Sequence, residues 1–196
     1  MNSLKECELD ELLSLVRGSS CSDDAFAELL SRYMPLIKSR IARFSRSGID
    51  PLEAMQEASI AIHSAAISYD PDRCKGVTFG LFADICIANK LRTMLTKQAR
   101  ISENEAQLAD AERISSGVDL ESFIATRDAC ERVMSIARSV LSNYEFEVFR
   151  LTFERYTTRD IAAVLGRSAK SVDNAKHRIS KSLRENKEIC DILLDV

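Results

Sequence analysis

Lys170, Ser171, Asn174, His177, Arg178 and Lys181 stand three or four residues apart, or side by side, within the stretch "AKSVDNAKHRISKSLR". At 100° per residue Lys170, Asn174, His177 and Lys181 fall on one side of a helix, flanked by Arg178 and Arg184, opposite Val172, Ala175, Ile179 and Leu183. Lys and Arg neutralise phosphates, and Asn can pair bidentately with adenine, so this polar face suits a major groove. Residues near the start of such a helix, here Lys170, Ser171 and Asn174, are best placed for base edges. No comparable set points to catalysis. The two histidines, His63 and His177, have no nucleophile at a useful spacing, and no phosphate loop is present. The six cysteines contain no CxxC pair and no histidine close to one, which argues against a zinc site. The chain is therefore not expected to be an enzyme, to hold a metal or cofactor, or to take a small-molecule substrate.

A groove-reading helix needs a partner that fixes its angle. A helix-turn-helix uses a small residue where its two helices cross, a turn residue tolerant of positive φ, and apolar residues under the second helix. Ala162, Gly166 and Val172 supply these at gaps of four and six residues, with Ile161 and Leu165 as the core of the first helix. The spacing predicts helices over about 157–165 and 169–185. Upstream, one helix is expected over about 120–139. Another begins after Leu141, with Ser142 and Glu145 forming a capping box.

Charge is distributed to match. The chain of 196 residues has a net charge of -3, yet Arg155 to Lys187 carries nine Lys and Arg against Asp160, Asp173 and Glu185. Lys75 to Arg100 carries five basic residues against Asp84, whereas Ile101 to Glu131 carries eight acids against Arg113 and Arg127. The order basic, acidic, basic suggests two DNA-facing units joined by an acidic linker. The polar segment 101–119 with its Ser-Ser-Gly is read as that linker. Few prolines and glycines and no strand-like alternation predict an all-α protein. No apolar run nears the roughly 20 residues of a membrane span, and the N-terminus lacks signal-peptide features, so a cytoplasmic location with no membrane partner is expected.

The N-terminal unit reads as helices throughout. Residues 7–17 form a short amphipathic helix. Asp23 or Asp24 could cap a helix bearing Phe26, Leu29, Leu30, Tyr33, Leu36, Ile37 and Ile41 at helical spacing. Asp50-Pro51 provides an N-cap and a first-turn proline for the Ala- and Ile-rich segment "PLEAMQEASIAIHSAAISY". "DPDRCKG" is a turn, and Thr78 caps a long helix toward Arg100. On that helix Leu81, Ile85, Ala88, Leu91 and Leu95 are the expected core. Phe79, Ala83, Cys86, Lys90, Thr93 and Lys97 are expected to face outward, passing from aromatic to basic, with Phe82 toward the side.

Two blocks, taken together, resemble the sigma-70 family of bacterial RNA polymerase sigma factors, in its short two-domain, sigma-H-like form. "LSNYEFEVFRLTFERYTTRDIAAVLGRSAKSVDNAKHRISKSL" is similar to region 4 of that family. "DDAFAELLSRYMPLIKSRIARF", "AMQEASIAIHSAAISYDPDR" and "VTFGLFADICIANKLRTML" are similar to region 2. The resemblance implies a region 2-like domain over 1–100, the linker 101–119, a region 4-like domain over 120–187 and a tail over 188–196. It implies core RNA polymerase as partner, through the β′ coiled coil and the β flap, with Asp50, Glu53, Gln56 and Glu57 at the docking helix. It implies promoter DNA as the other partner. Phe79, Lys90, Thr93 and Lys97 would receive the -10 strand, and the helix-turn-helix the -35 duplex. An anti-sigma protein is a further partner it admits. The chain departs from the family pattern at Ala58, where glycine often follows "QE", in lacking Trp on the melting helix, and at Cys74-Lys75, which lengthens the preceding turn. An alternative is a stand-alone helix-turn-helix regulator with an N-terminal sensing or dimerisation bundle. It would leave the "QE" helix and the aromatic-to-basic helix without a role.

Overall fold

The computed structural model describes residues 4–18, 22–44, 49–74, 76–103 and 120–194, and every regular element among them is helical. Contacts divide the chain into two compact units: Met1–Ser68 with Cys86–Phe123, and Tyr69–Ile85 with Ile124–Val196.

In the first unit, α1 (Leu9–Arg17) starts with Asp10 and Glu11 in its first turn and buries Leu12, Leu13 and Val16. It packs on α2 (Ser22–Phe44) and α3 (Pro51–Ser68), which also pack on each other. Helix α2 begins at Ser22, ahead of both expected caps. Asp23 and Asp24 lie inside its first turn, where carboxylates oppose the positive end of the helix dipole. Ala25, Leu29, Tyr33, Ile37, Ile41 and Phe44 form its buried stripe. At α3, the Asp50 carboxylate accepts from the Glu53 amide at 3.1 Å, as an N-cap should, and Pro51 occupies the first position. The helix buries Ala54, Ala58, Ala61, Ile62, Ala65 and Ala66, so its small side chains let α1 and α2 approach closely. Its last turn is closed by Arg17 Nε, which donates to the Ala66 carbonyl at 2.8 Å.

The turn after α3 is built as its sequence suggests. Asp70 Oδ1 accepts from the Asp72 amide at 2.9 Å, and Gly76 takes φ +79°. The buried Tyr69 hydroxyl donates to the Val77 carbonyl at 2.7 Å. Thr78 Oγ1 accepts from the Leu81 amide at 3.3 Å, which starts α4 (Phe79–Glu103). The helix runs three residues into the expected linker. Residues 104–119, the rest of that segment, lie outside the described residues.

The second compact unit holds this turn, the start of α4 and the C-terminal helices. Helix α5 (Leu120–Val140) buries Thr126, Cys130, Val133 and Ala137 at helical spacing. Helix α6 (Asn143–Phe153) opens with the expected capping box of Ser142 and Glu145. Its end lies close to α4: a Cβ added to Gly80 would stand 1.7 Å from the Phe153 carbonyl oxygen. Helix α7 (Thr158–Val164) has a second capping box, Thr157 with Asp160, and α8 (Ala169–Arg184) is capped by Ser168. The segment expected as a tail is instead structured through Leu194. A short α9 (Lys187–Ile189) and a π-helical turn (Cys190–Leu194) bury Ile189, Ile192 and Leu193. Those three apolar residues have core to cover, which a polar tail would not.

Candidate nucleic-acid interface

Helices α7 and α8 form the helix-turn-helix that the Ala162, Gly166 and Val172 spacing predicts. Ile161 and Val172 are fully buried, Ala162 is buried, and Leu165 is half-buried at the end of α7. Gly166 has φ +61°, a conformation side chains resist, and the Arg167 amide bonds back to the Ala162 carbonyl at 2.9 Å. A polar bridge also sets the crossing: Lys176 Nζ donates to Thr158 Oγ1 at 2.9 Å, and Thr158 Oγ1 donates to Asp173 Oδ1 at 3.2 Å.

On α8 the two predicted faces separate cleanly. Val172, Ala175, Ile179 and Leu183 are buried. Lys170, Asn174, His177, Arg178 and Lys181 are exposed, and Ser171 is half-buried. Two members of this face have partners on α6. Ser171 Oγ lies 3.1 Å from Tyr144 Oη, and Arg178 Nε donates to Glu145 Oε1 at 2.6 Å. The guanidinium of Arg167 sits over the Tyr144 ring, 5.8 Å from its centroid. The Arg178 hydrogen bond, then that of Ser142, holds the Glu145 carboxyl below its ordinary value.

The α3 and α4 candidates divide differently. Asp50, Glu53 and Gln56 are exposed along the outer side of the α3 start, whereas Glu57 is half-buried. Glu57 Oε2 pairs with Lys90 Nζ at 2.9 Å, which joins a residue expected to dock on a protein to one expected to hold DNA. Thr93 and Lys97 are exposed, and Thr93 Oγ1 bonds the Asn89 carbonyl at 3.0 Å. Phe79 corrects the expectation. It is 2% exposed, and its ring meets Tyr69 edge-on at 5.4 Å. Ala83, also expected outward, is fully buried, and Cys86 is half-buried. The first turns of α4 are apolar nearly all round, and a helix apolar all round is enclosed. The outward polar face begins only at Asn89.

The likeness to known proteins runs the length of the chain. It is 22% identical over 210 residues to the RNA polymerase sigma-H factor of Bacillus subtilis (strain 168), covering 98% of this chain and 95% of that protein. It is also 22% identical over 205 residues to the RNA polymerase sigma-H factor of Bacillus licheniformis, covering 96% and 91%. Likeness of this reach supports a sigma factor of the sigma-70 family. No family model matches the chain, and no solved structure does.

Sequence reasoning found the face of α8 but not what supports it. Tyr144 and Glu145 were legible only as part of a capped helix start. Helical periodicity says which side of α6 is apolar, not which other helix its first turn meets. Among the described residues, no group of three or more His, Cys, Asp or Glu could hold a metal, and no helix is long and apolar enough to cross a membrane.

Proposed function

We propose that this chain acts as an alternative sigma factor. It joins core RNA polymerase and directs transcription initiation at a chosen set of promoters. Its polar α8 face, Lys170, Ser171, Asn174, His177, Arg178 and Lys181, reads the -35 duplex. The outer side of α3, with Asp50, Glu53, Gln56 and Glu57, meets the β′ coiled coil, where acids complement a basic partner. Lys90, Thr93 and Lys97 hold the opened -10 strand by its backbone. Phe79 takes part in base stacking only if the start of α4 is uncovered, since its ring is enclosed in the free chain. The C-terminal domain further engages the β flap.

The observation that carries this reading is the reach of the likeness. It takes in α3 and α4 as well as the helix-turn-helix, covering 98% of the chain. A stand-alone regulator would account for α8 but not for α3 and α4. The acidity of the whole also fits. Phosphate contacts dominate non-specific affinity, so a chain of net charge -3 binds duplex weakly until polymerase presents its basic faces.

The test is assembly. Purified chain mixed with core polymerase should co-elute as a one-to-one complex, and Glu53→Lys with Gln56→Lys should abolish it. A chain that elutes separately from core while shifting duplex DNA by itself would favour the regulator.

A further inference from the structure

The six polar residues of α8 are not equivalent, and the difference lies on α6. Glu145 uses its two carboxylate oxygens for two tasks. Oε2 accepts from the Ser142 amide at 3.1 Å and from the Ser142 hydroxyl at 2.7 Å, which closes the capping box. Oε1 accepts from Arg178 Nε at 2.6 Å. The Glu145 side chain is only 15% exposed, whereas that of Arg178 is 56% exposed. The carboxylate is thus fixed by its own helix and grips the inner edge of a guanidinium whose outer part is in solvent. A guanidinium carries five N–H donors in a rigid fork. Engaging Nε leaves the two Nη groups as a paired edge, suited to a phosphate. Two helical turns toward the N-terminus of α8, Tyr144 makes the matching contact to Ser171, and Arg167 stacks over the Tyr144 ring.

We infer that Glu145 is a positioning residue for promoter binding: it holds the Arg178 guanidinium with its Nη edge presented to a phosphate of the -35 duplex, and so sets the register in which Lys170 and Asn174 meet the bases. The inference rests on the reading of α8 as the -35 helix. Arg178 lies ten residues into α8, beyond the N-terminal residues that reach base edges, so its contact is to the backbone. A long arginine left unsupported would give up rotamer entropy on binding, and one already held has less to lose. The cost of the arrangement is an acid beside a phosphate-binding face. That cost gives the test its sign. If Glu145 were merely a nearby acid, removing its charge would strengthen DNA binding by relieving repulsion. If it orients Arg178, removing its charge weakens binding.

Glu145→Gln is the discriminating change, because glutamine at this position still completes a capping box with Ser142. Ser142→Ala breaks the cap without removing the carboxylate. Holoenzyme assembled from core polymerase and full-length chain would be bound, over a range of salt concentrations, to a duplex library randomised through the -35 block. Chains carrying Glu145→Gln, Arg178→Ala, both, or Ser142→Ala would be compared. The expected result is about three- to tenfold weaker binding for Glu145→Gln, the worth of one ordinary hydrogen bond. The salt slope should fall by about one, as for a lost phosphate contact. The double variant should be no weaker than Arg178→Ala. Ser142→Ala should lower the melting temperature without changing the slope. Unchanged or tighter binding by Glu145→Gln, or losses that simply add in the double variant, would overturn the inference. So would an Arg178→Ala chain that binds normally while Lys170→Ala and Asn174→Ala do not, which would leave the -35 reading standing. If none of the α8 variants alters binding to any duplex, that reading fails and the inference falls with it.

Discussion

Helix α8 and the start of α4 are both expected to touch DNA, and they are built in opposite ways. Helix α8 keeps its core residues on one side and its cations on the other, so its binding face is in solvent from the outset. From Phe79 to Ile85, α4 is enclosed on every side. A one-sided helix can change its contacts to DNA without changing its packing. An enclosed one cannot, because every side chain there is also core. In α8, specificity and stability are therefore separable, and at the start of α4 they are coupled.

The largest effect should come from Phe79→Ala, which empties a site 2% exposed beside Tyr69. A loss of about 3 kcal/mol is expected in urea unfolding. A stability within error of the parent would mean the ring is not core and would return it to the exposed -10 face. Gly80→Ala comes next. The added Cβ meets backbone rather than a movable side chain, so overpacking by about 2 kcal/mol should outweigh the helix-propensity gain from alanine. A stabilised variant would show that α4 and the end of α6 do not approach as closely as described.

On α8 the same kind of truncation should leave stability within about 0.5 kcal/mol of the parent. His177→Ala and Asn174→Ala should change which -35 sequences are preferred. Lys181→Ala should weaken binding uniformly and lower the salt slope by about one. Equal effects of all three on every promoter would erase the distinction between readers and phosphate contacts.

The smallest effect concerns pH. Hydrogen bonds from Arg178 and Ser142 depress the Glu145 carboxyl below 4.5, and those of Thr157 depress Asp160 below 3.8. Groups with lowered folded values stabilise fully above their unfolded values and lose that contribution as pH falls through the folded ones. The C-terminal helices should therefore hold their stability from neutral pH to about pH 5 and lose some of it below. With Glu145→Gln and Asp160→Asn together, that acid-side loss should shrink, as followed by thermal melting against pH.

What was legible from sequence follows the same contrast. The caps at Asp50, Thr78 and Ser142, the turn at Gly166 and both faces of α8 are local signals, because each depends on residues within a few positions. The burial of Phe79 and Ala83 is not local. Periodicity gave them an outward angle, but enclosure depends on what else packs there, including Tyr69 across the turn. The Glu57–Lys90 pair and the Glu145–Arg178 pair each join two helices, 33 residues apart in both cases. No spacing rule finds such pairs. The packed C-terminal segment was hidden for a further reason: Ile189, Ile192 and Leu193 are too few to show a period.

The most direct test of the account is run-off transcription from a promoter library, using purified core polymerase with and without this chain. The account predicts that the chain switches on a defined subset of promoters sharing a two-block motif. Arg178→Ala and Asn174→Ala should alter output according to the upstream block alone. Unchanged start sites in the presence of the chain, with the chain alone shifting duplex DNA, would contradict it.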